Sequence, residues 1–395
     1  MSTLRLTCAA LLLVAPLFAQ APATPTLHIP AGDWTVRDLL TQAEQALRTP
    51  ITADATELAQ ATAERIRLQF PLALDPAHGQ EAIAALLSAR GLLLTRGANG
   101  APEVRATPKG KPEWLREHAV PCTLQELLDY PFRHGVVRTE LRTSVQAQML
   151  TEMLRMSAAS GAATPSCEAV RDGIACTGTS DAVRHAITQV AALDPQFAAA
   201  LPQASHVSIV GGKKGDAVAL PAGDHPLVDV VDVLAKNGGF NIVLSPTLAA
   251  SAAKLTTAKA QQFDWQHGPG ALTTLLWQHR VLLLELDVRH GLYEAVLVEN
   301  QRQAPPMTRA STRTVDEAIA AADCTMFIAV QWKAKHLGID KRMELVRAAM
   351  GGGDPSGIGM FTACGTPDGL LLSGLSPQIA KLLKALQAAD QPSGG

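Results

Sequence analysis

The sequence predicts an α+β protein of tandem small domains, each with two helices packed on small mixed or antiparallel sheets. Three observations predict it. One segment is written twice: IPAGDWTVRDLL, Ile29 to Leu40, and LPAGDHPLVDVV, Leu220 to Val231, lie 191 positions apart. Helical and two-residue apolar periods alternate through both copies. Short apolar runs are punctuated by Asn-Gly, His-Gly and Asp-Gly turns.

The N-terminus comes first. MSTLRLTCAALLLVAPLFAQA carries one Arg, an apolar run from Leu6 to Phe18, and small residues at Ala19 and Ala21, the layout of an export signal. Pro22 disfavours a cut after Ala21, which assigns 1–19 to a signal peptide. That run is short for a bilayer span, and VLLLEL and GLLLSGL are shorter, so no transmembrane segment is expected in the mature chain. The 47% hydrophobic content is enough for several cores. With 34 basic residues against 36 acidic, no basic surface for nucleic acid is implied. At 4% aromatic, stacking platforms for bases or sugars are not expected either.

Each unit has two parts. The first reads as a strand ending in PAGD, an amphipathic helix, a short strand, a turn, another strand, a second helix and a closing strand pair. In copy one the first helix runs near Val36 to Leu47, with Leu39, Leu40, Ala43 and Leu47 at core spacing and Asp33 and Thr35 available to cap it. Pro226 takes an early helix position in copy two. Asn99-Gly100 and His290-Gly291 mark the closing turns.

The second part reads as strand, helix, strand, tight turn, strand, helix. CTLQELLDYPFRH, Cys122 to His134, aligns with CTMFIAVQWKAKH, Cys324 to His336. Asp172-Gly173 and Asp368-Gly369 are two-residue hairpin signals, and Ser180-Asp181 and Ser376-Pro377 open the last helices. Linkers fall near 108–121, 195–205 and 300–323. The expected domains are 26–107, 118–196, 206–299 and 322–391.

Catalytic and metal sites need residues at spacings that mechanisms dictate. The chain has no HExxH, CxxC, GxSxG or P-loop pattern, so no catalytic, cofactor-binding or metal residue and no cofactor is expected. His78 and His267 read as helix-entry residues, His134 and His336 as turn residues, and Asp38 and Asp229 as carboxylates in a first helical turn. Lys213 and Lys214 read as a solvated turn. GGGDPSGIG, from Gly351, follows a helix, whose C-terminal end is the wrong one for an anion. Trp265, Trp277 and Trp332, gained in copy two, suggest stickier surfaces there, with Trp277 able instead to fill a core gap.

Beyond the leader the cysteines are Cys122, Cys167, Cys176, Cys324 and Cys364, and export makes disulfides the default. Parallel bridges Cys122–Cys167 and Cys324–Cys364 suit the repeat and leave Cys176 as the free thiol. The competing bridge, Cys167–Cys176, leaves Cys122 over. With Asp172-Gly173 at the turn, Cys176 faces Ala169, which makes the competitor diagonal.

These residues carry a resemblance. GFNIVLSP, Gly239 to Pro246, following the helix from Leu227 to Asn237, is similar to the secretin and TonB N-terminus short domain, where a helix leads into a strand of the type NIVxxP. VRDGIACTGTSDAVRHAITQVAALD, ending at Asp194, resembles the ring-building domain that follows it in secretins, with its hairpin, TGT and a helix ending in LD. The resemblance implies short domains at 26–107 and 206–299 and ring-building domains at 118–196 and 322–391. The chain stops at LQAADQPSGG, so the expectation is a periplasmic vestibule without its barrel. Such a module is non-enzymatic and scaffolds an envelope secretion or pilus-like system, its partners being envelope proteins, a secretin, or copies of itself in a ring or oligomer. The alternative is a signal- or ligand-sensing adaptor of TonB-linked type. An enzyme built on Cys176, His134 and Asp172 is the third reading.

Overall fold

The structure, a computed structural model, describes residues 27–53, 58, 65–74, 79–97, 100–106, 112–129, 135–157, 164–201, 217–299, 309–351, 361–366 and 368–391. The leader at 1–19, His78, His134, Lys213, Lys214 and the glycine run at 352–360 lie outside the described residues. The fold is α+β, with helices on small sheets.

In the first part, β1 (Leu27–Ile29) pairs antiparallel with β5 (Leu72–Leu74), and β2 (Gly32–Thr35) with β4 (Arg65–Leu68). Thr35 starts α1 (Val36–Leu47): its Oγ1 accepts the Asp38 amide at 3.1 Å and donates to Asp38 Oδ2 at 2.7 Å. Val36, Leu39, Leu40, Ala43 and Ala46 form the buried stripe, while Leu47 is only partly covered. The second helix, α2 (Gly79–Ser88), is buried nearly all round. Beside it a three-stranded sheet runs in the order β3 (Thr52–Ala53), β7 (Pro102–Ala106), β6 (Leu92–Arg96), with β3 parallel to β7.

A four-stranded sheet follows. After α3 (Pro112–Glu117) come β8 (Val120–Pro121), α4 (Leu124–Asp129), β9 (Val136–Leu141), α5 (Ala147–Ser157), β10 (Ser166–Val170), β11 (Gly173–Thr179), α6 (Ser180–Leu193) and α7 (Pro195–Ala200). The strand order is β10-β11-β9-β8, antiparallel except for β8 with β9.

The second half repeats both topologies. β12 (Val218–Leu220) pairs with β16 (Gln261–Phe263), and β13 (Gly223–Pro226) with β15 (Lys254–Thr257). The helices α8 (Leu227–Gly238), α9 (Pro246–Ala249) and α10 (Gly268–Gln278) accompany the order β14 (Asn241–Leu244), β18 (Leu292–Leu297), β17 (Val281–Asp287), with β14 parallel to β18. Then come β19 (Ser311–Arg313), α11 (Val315–Ala320), β20 (Phe327–Lys333), α12 (Ile339–Gly351), β21 (Thr362–Thr366), β22 (Gly369–Leu375) and α13 (Ser376–Ala389), in sheet order β19-β20-β22-β21. Here β19 is the parallel edge.

The structure revises several expectations. β8 and β19, α4 and α11, and β9 and β20 each start 191 residues apart, so Cys122 corresponds to Arg313 and not to Cys324. CTLQELLD is no strand: Leu124, Leu127 and Leu128 have helical spacing, and Thr123 Oγ1 accepts the Glu126 amide at 3.1 Å. The strand equivalent to β20 is VVRTEL. The expected domain start at 322 would cut β19 and α11 from their sheet, because 300–323 was read as linker. Thr314 and Glu317 form a complete capping box there. The linker readings at 108–121 and 195–205 likewise hide α3 and α7. Pro226 precedes α8 as its N-cap residue and does not enter its first turn.

The hairpin turn also sits one residue early. Val170 pairs with Gly173, leaving Arg171-Asp172 as the turn, and Thr366 pairs with Gly369 in the second half. A Cβ on Gly173 would meet Leu141 O at 2.0 Å, and one on Gly369 would meet Trp332 O at 1.9 Å. Both glycines therefore serve close approach to the neighbouring central strand.

One core runs through both sheets of the second half, from Leu220 to Leu386. In the first half the cores are separate, one around α1 and α2 and one around α5 and α6. Trp277 and Trp332 are buried in the second half, whereas Trp265 is 40% exposed.

Candidate functional site

Cysteine geometry comes from strand register. Cys167 and Cys176 are direct partners on β10 and β11, with Sγ atoms 3.5 Å apart. Cys176 pairs onward with Thr139 on β9, and Cys122 lies beside Thr139, whose hydroxyl donates to Cys122 O at 2.7 Å. Cys122 is thus three strand spacings from Cys167, roughly 14 Å and far beyond bridging reach. Cys324 stands before β20, while Cys364 lies level with Gln331, seven residues further along, roughly 23 Å by strand rise. Neither parallel bridge fits this fold. The structure holds Cys122, Cys167, Cys176 and Cys324 as thiols. Burial, with Glu126 nearby, pushes the Cys122 thiol up to about 11, and burial raises Cys324. A hydrogen bond with Cys167, with burial, raises Cys176, and the same bond lowers Cys167. Cys122, Cys176 and Cys324 are thereby held as protonated thiols, and of the four Cys167 alone is shifted toward the thiolate.

Of the four histidines singled out in the sequence, His267 and His336 are described. His267 is exposed at the N-terminus of α10, its Nδ1 3.2 Å from Asp264 Oδ1. His336 follows β20, with its amide on Asp390. Among the described residues no group of three or more His, Cys, Asp or Glu could hold a metal ion, and no helix is long and apolar enough to cross a membrane.

What the residues do build is a set of contacts. Within each half the same joint recurs. Gly135 N donates to Leu94 O at 2.7 Å, and Ser180 N to Gly135 O at 3.2 Å. In the second half Leu283 bridges Met326 in parallel, and Ser376 N donates to Met326 O at 2.9 Å. Leu94 and Leu283 occupy matching strands, β6 and β17.

Between halves the contact is one-sided. Gln69, in the turn after β4, reads the backbone of edge strand β14 both ways: Ile242 N donates to its Oε1, and its Nε2 donates to Ile242 O, each at 2.9 Å. Phe70 N donates to Asn241 Oδ1 at 2.8 Å, Arg90 Nη1 to Leu244 O at 2.7 Å, and Arg67 pairs with Asp232 at 2.9 Å. On β14 the sides alternate, with Ile242 in its own half's core and Val243 in the other half's, beside Leu286 and Leu292. The matching positions are Ala258 for Gln69, Lys259 for Phe70 and Thr256 for Arg67 on one side, and Pro50 for Asn241 and Thr41 for Asp232 on the other. Among the described residues the chain therefore makes this contact once. Gln69→Ala is expected to speed amide exchange at Ile242 about tenfold, one hydrogen bond of about 1.4 kcal/mol, by site-resolved hydrogen exchange.

A carboxylate clamps each four-stranded sheet. Asp194 Oδ2 accepts Thr143 Oγ1 at 2.6 Å and Ser144 N at 2.9 Å, and its Oδ1 accepts the amides of Gln196 and Phe197 at 3.0 Å. Asp390 accepts the amides of Lys335, His336 and Leu337. Each ties the end of the last helix to the turn after the sheet's central strand.

The open faces of the two sheets differ. On the first, Arg138 and Arg116 meet Glu168 under α3. Over the second lie α6 and α7, bordering a half-open cavity of about 980 Å³ lined by Arg184, Thr188 and Ala191 above and Thr312, Gln331 and Ser373 below. Ser373 is 1% exposed, and its hydroxyl has no partner among the described residues. At its margin burial lowers the Arg184 guanidinium; burial works against Arg309 too, yet Glu294, at 2.5 Å, and Asp181 raise it.

No family model matches the chain, and no curated protein matches it. Solved structures do, two of them as follows. A dimeric cysteine mutant of the N-terminal domain of the secretin XcpQ from Pseudomonas aeruginosa is 11% identical over 45% of this chain, with a TM-score of 0.17. This chain spans 65% of that one, just under two thirds of its length. The enterotoxigenic Escherichia coli GspC-GspD complex from the type II secretion system is 10% identical over 44% of this chain and 98% of that chain, also at a TM-score of 0.17.

Proposed function

We propose that the chain is a non-enzymatic periplasmic interaction module of a secretin-associated envelope system, made of a short domain and a ring-building domain copied in tandem. The carrying observation is the pair of like sheets, each ending in an edge strand, β10 or β21, with no second strand partner among the described residues. Such edges offer a row of backbone donors and acceptors to a partner strand. The resemblance of NIVLSP and of the hairpin, TGT and LD run supports the reading. In the fold Thr179 of TGT caps α6 and Asp194 of LD closes the clamp.

The contact between halves is consumed inside the chain, so assembly with other copies or with envelope proteins uses the remaining edges. The test is isolation of the mature chain from envelope extract after mild crosslinking, with mass measurement of what travels with it. A self-oligomer or a stable envelope protein is expected. A chain that travels alone contradicts the proposal. The cavity over the second sheet favours one further reading, a sensing adaptor, which a single regulatory partner in equal stoichiometry without self-association would distinguish.

A further inference from the structure

We infer that Cys167 and Cys176 form a cross-strand disulfide that fastens edge strand β10 to β11. The two residues are direct register partners, and their Sγ atoms already stand 3.5 Å apart. Directly opposed residues on antiparallel strands have α-carbons about 4.5 to 5.5 Å apart, inside the range that disulfides span. Both side chains pack with the same core, Cys176 fully buried and Cys167 partly so. No other described thiol competes. Cys122, two strand spacings beyond Cys176, is roughly 9 to 10 Å away and out of reach.

The bridge belongs to one half only. The matching pair on β21 and β22 is Ala363 with Leu372, so the second edge has no cysteine pair at this register position. The two edges that the proposed function leaves for partners therefore differ: one carries a covalent fastening there and the other does not.

The oxidant is a small disulfide such as oxidised glutathione. Cys167, the more accessible thiol, attacks one of its sulfurs as the thiolate, forming a mixed disulfide and expelling one glutathione thiolate. Cys176 then loses its proton and attacks Cys167 Sγ, expelling the second. Two protein thiols are oxidised, one external disulfide is reduced to two thiols, and the expelled thiolates take up the two protons.

The test exposes the full chain to oxidised glutathione, blocks remaining thiols with N-ethylmaleimide, and measures intact mass and linked peptides. The expected result is a loss of two hydrogens, a Cys167–Cys176 linked peptide, and Cys122 carrying maleimide after denaturation. Hydrogen exchange along β10 should slow on oxidation, with no change along β21. Cys122→Ala should keep the bridge, and Cys176→Ala should stop at a glutathione adduct on Cys167. A Cys122–Cys167 peptide, or a wild-type chain that stops at the adduct or keeps both thiols alkylatable, would overturn the inference.

Discussion

Asp194→Ala is expected to destabilise the first four-stranded sheet by about 2 to 4 kcal/mol, measured by urea denaturation at neutral pH. The carboxylate is 6% exposed and accepts bonds from two hydroxyls and three amides. Alanine leaves those donors facing a gap at the start of α7 and ahead of α5. The hydroxyl of Thr143, followed by the amides of Phe197 and Ser144, holds the carboxyl well below the usual carboxylate range. Its folded pKa lies below the unfolded value of about 3.9, so the contribution is whole above that value and is lost as pH falls through the folded one. The gap between wild type and Asp194→Ala should therefore close as the titration is taken below about pH 4. Asp390→Ala should repeat the pattern more weakly, since three amides replace five donors and the site is more open.

Val243→Asp is expected to uncouple the halves at a cost of about 3 to 5 kcal/mol. Val243 is 0% exposed in a core supplied mainly by the other half, so an aspartate there is a charge buried among apolar side chains. Scanning calorimetry should turn a joined transition into two steps. Val243→Ala, which only leaves a gap, should lower the midpoint and keep the halves coupled. If Val243→Asp unfolds as the wild type does, the interface described above is not what joins the halves.

Much of the fold was legible in local chemistry. The PAGD entry, the Thr35 cap and the apolar stripe of α1 are read from neighbours in sequence, and the α+β class follows from them. The failures are equally physical. Asp172-Gly173 was read as a turn, but the glycine is there for the carbonyl of Leu141, a tertiary demand that sequence period does not display. That one-residue slip reversed the cysteine argument, because moving a register by one changes every facing pair. The capping box at Thr314 and Glu317 was a readable signal hidden in a stretch taken as linker for its Pro, Gln and Arg content. Gln69 had no local signal at all, since its partners, Ile242 on β14 and Asp232 on α8, lie 173 and 163 residues away. The shared position of Cys and His in CTLQELLDYPFRH and CTMFIAVQWKAKH was coincidence, and the constant 191-residue offset was the better guide.

The most direct test of the proposed interaction role is site-resolved hydrogen exchange on the chain in an envelope-derived complex, compared with the chain alone. The account predicts that partner binding slows exchange along the sheet edges, β10 and β21 above all. Slowing confined to Thr312, Gln331 and Ser373 around the cavity, with only a small molecule in the native mass spectrum, would contradict it.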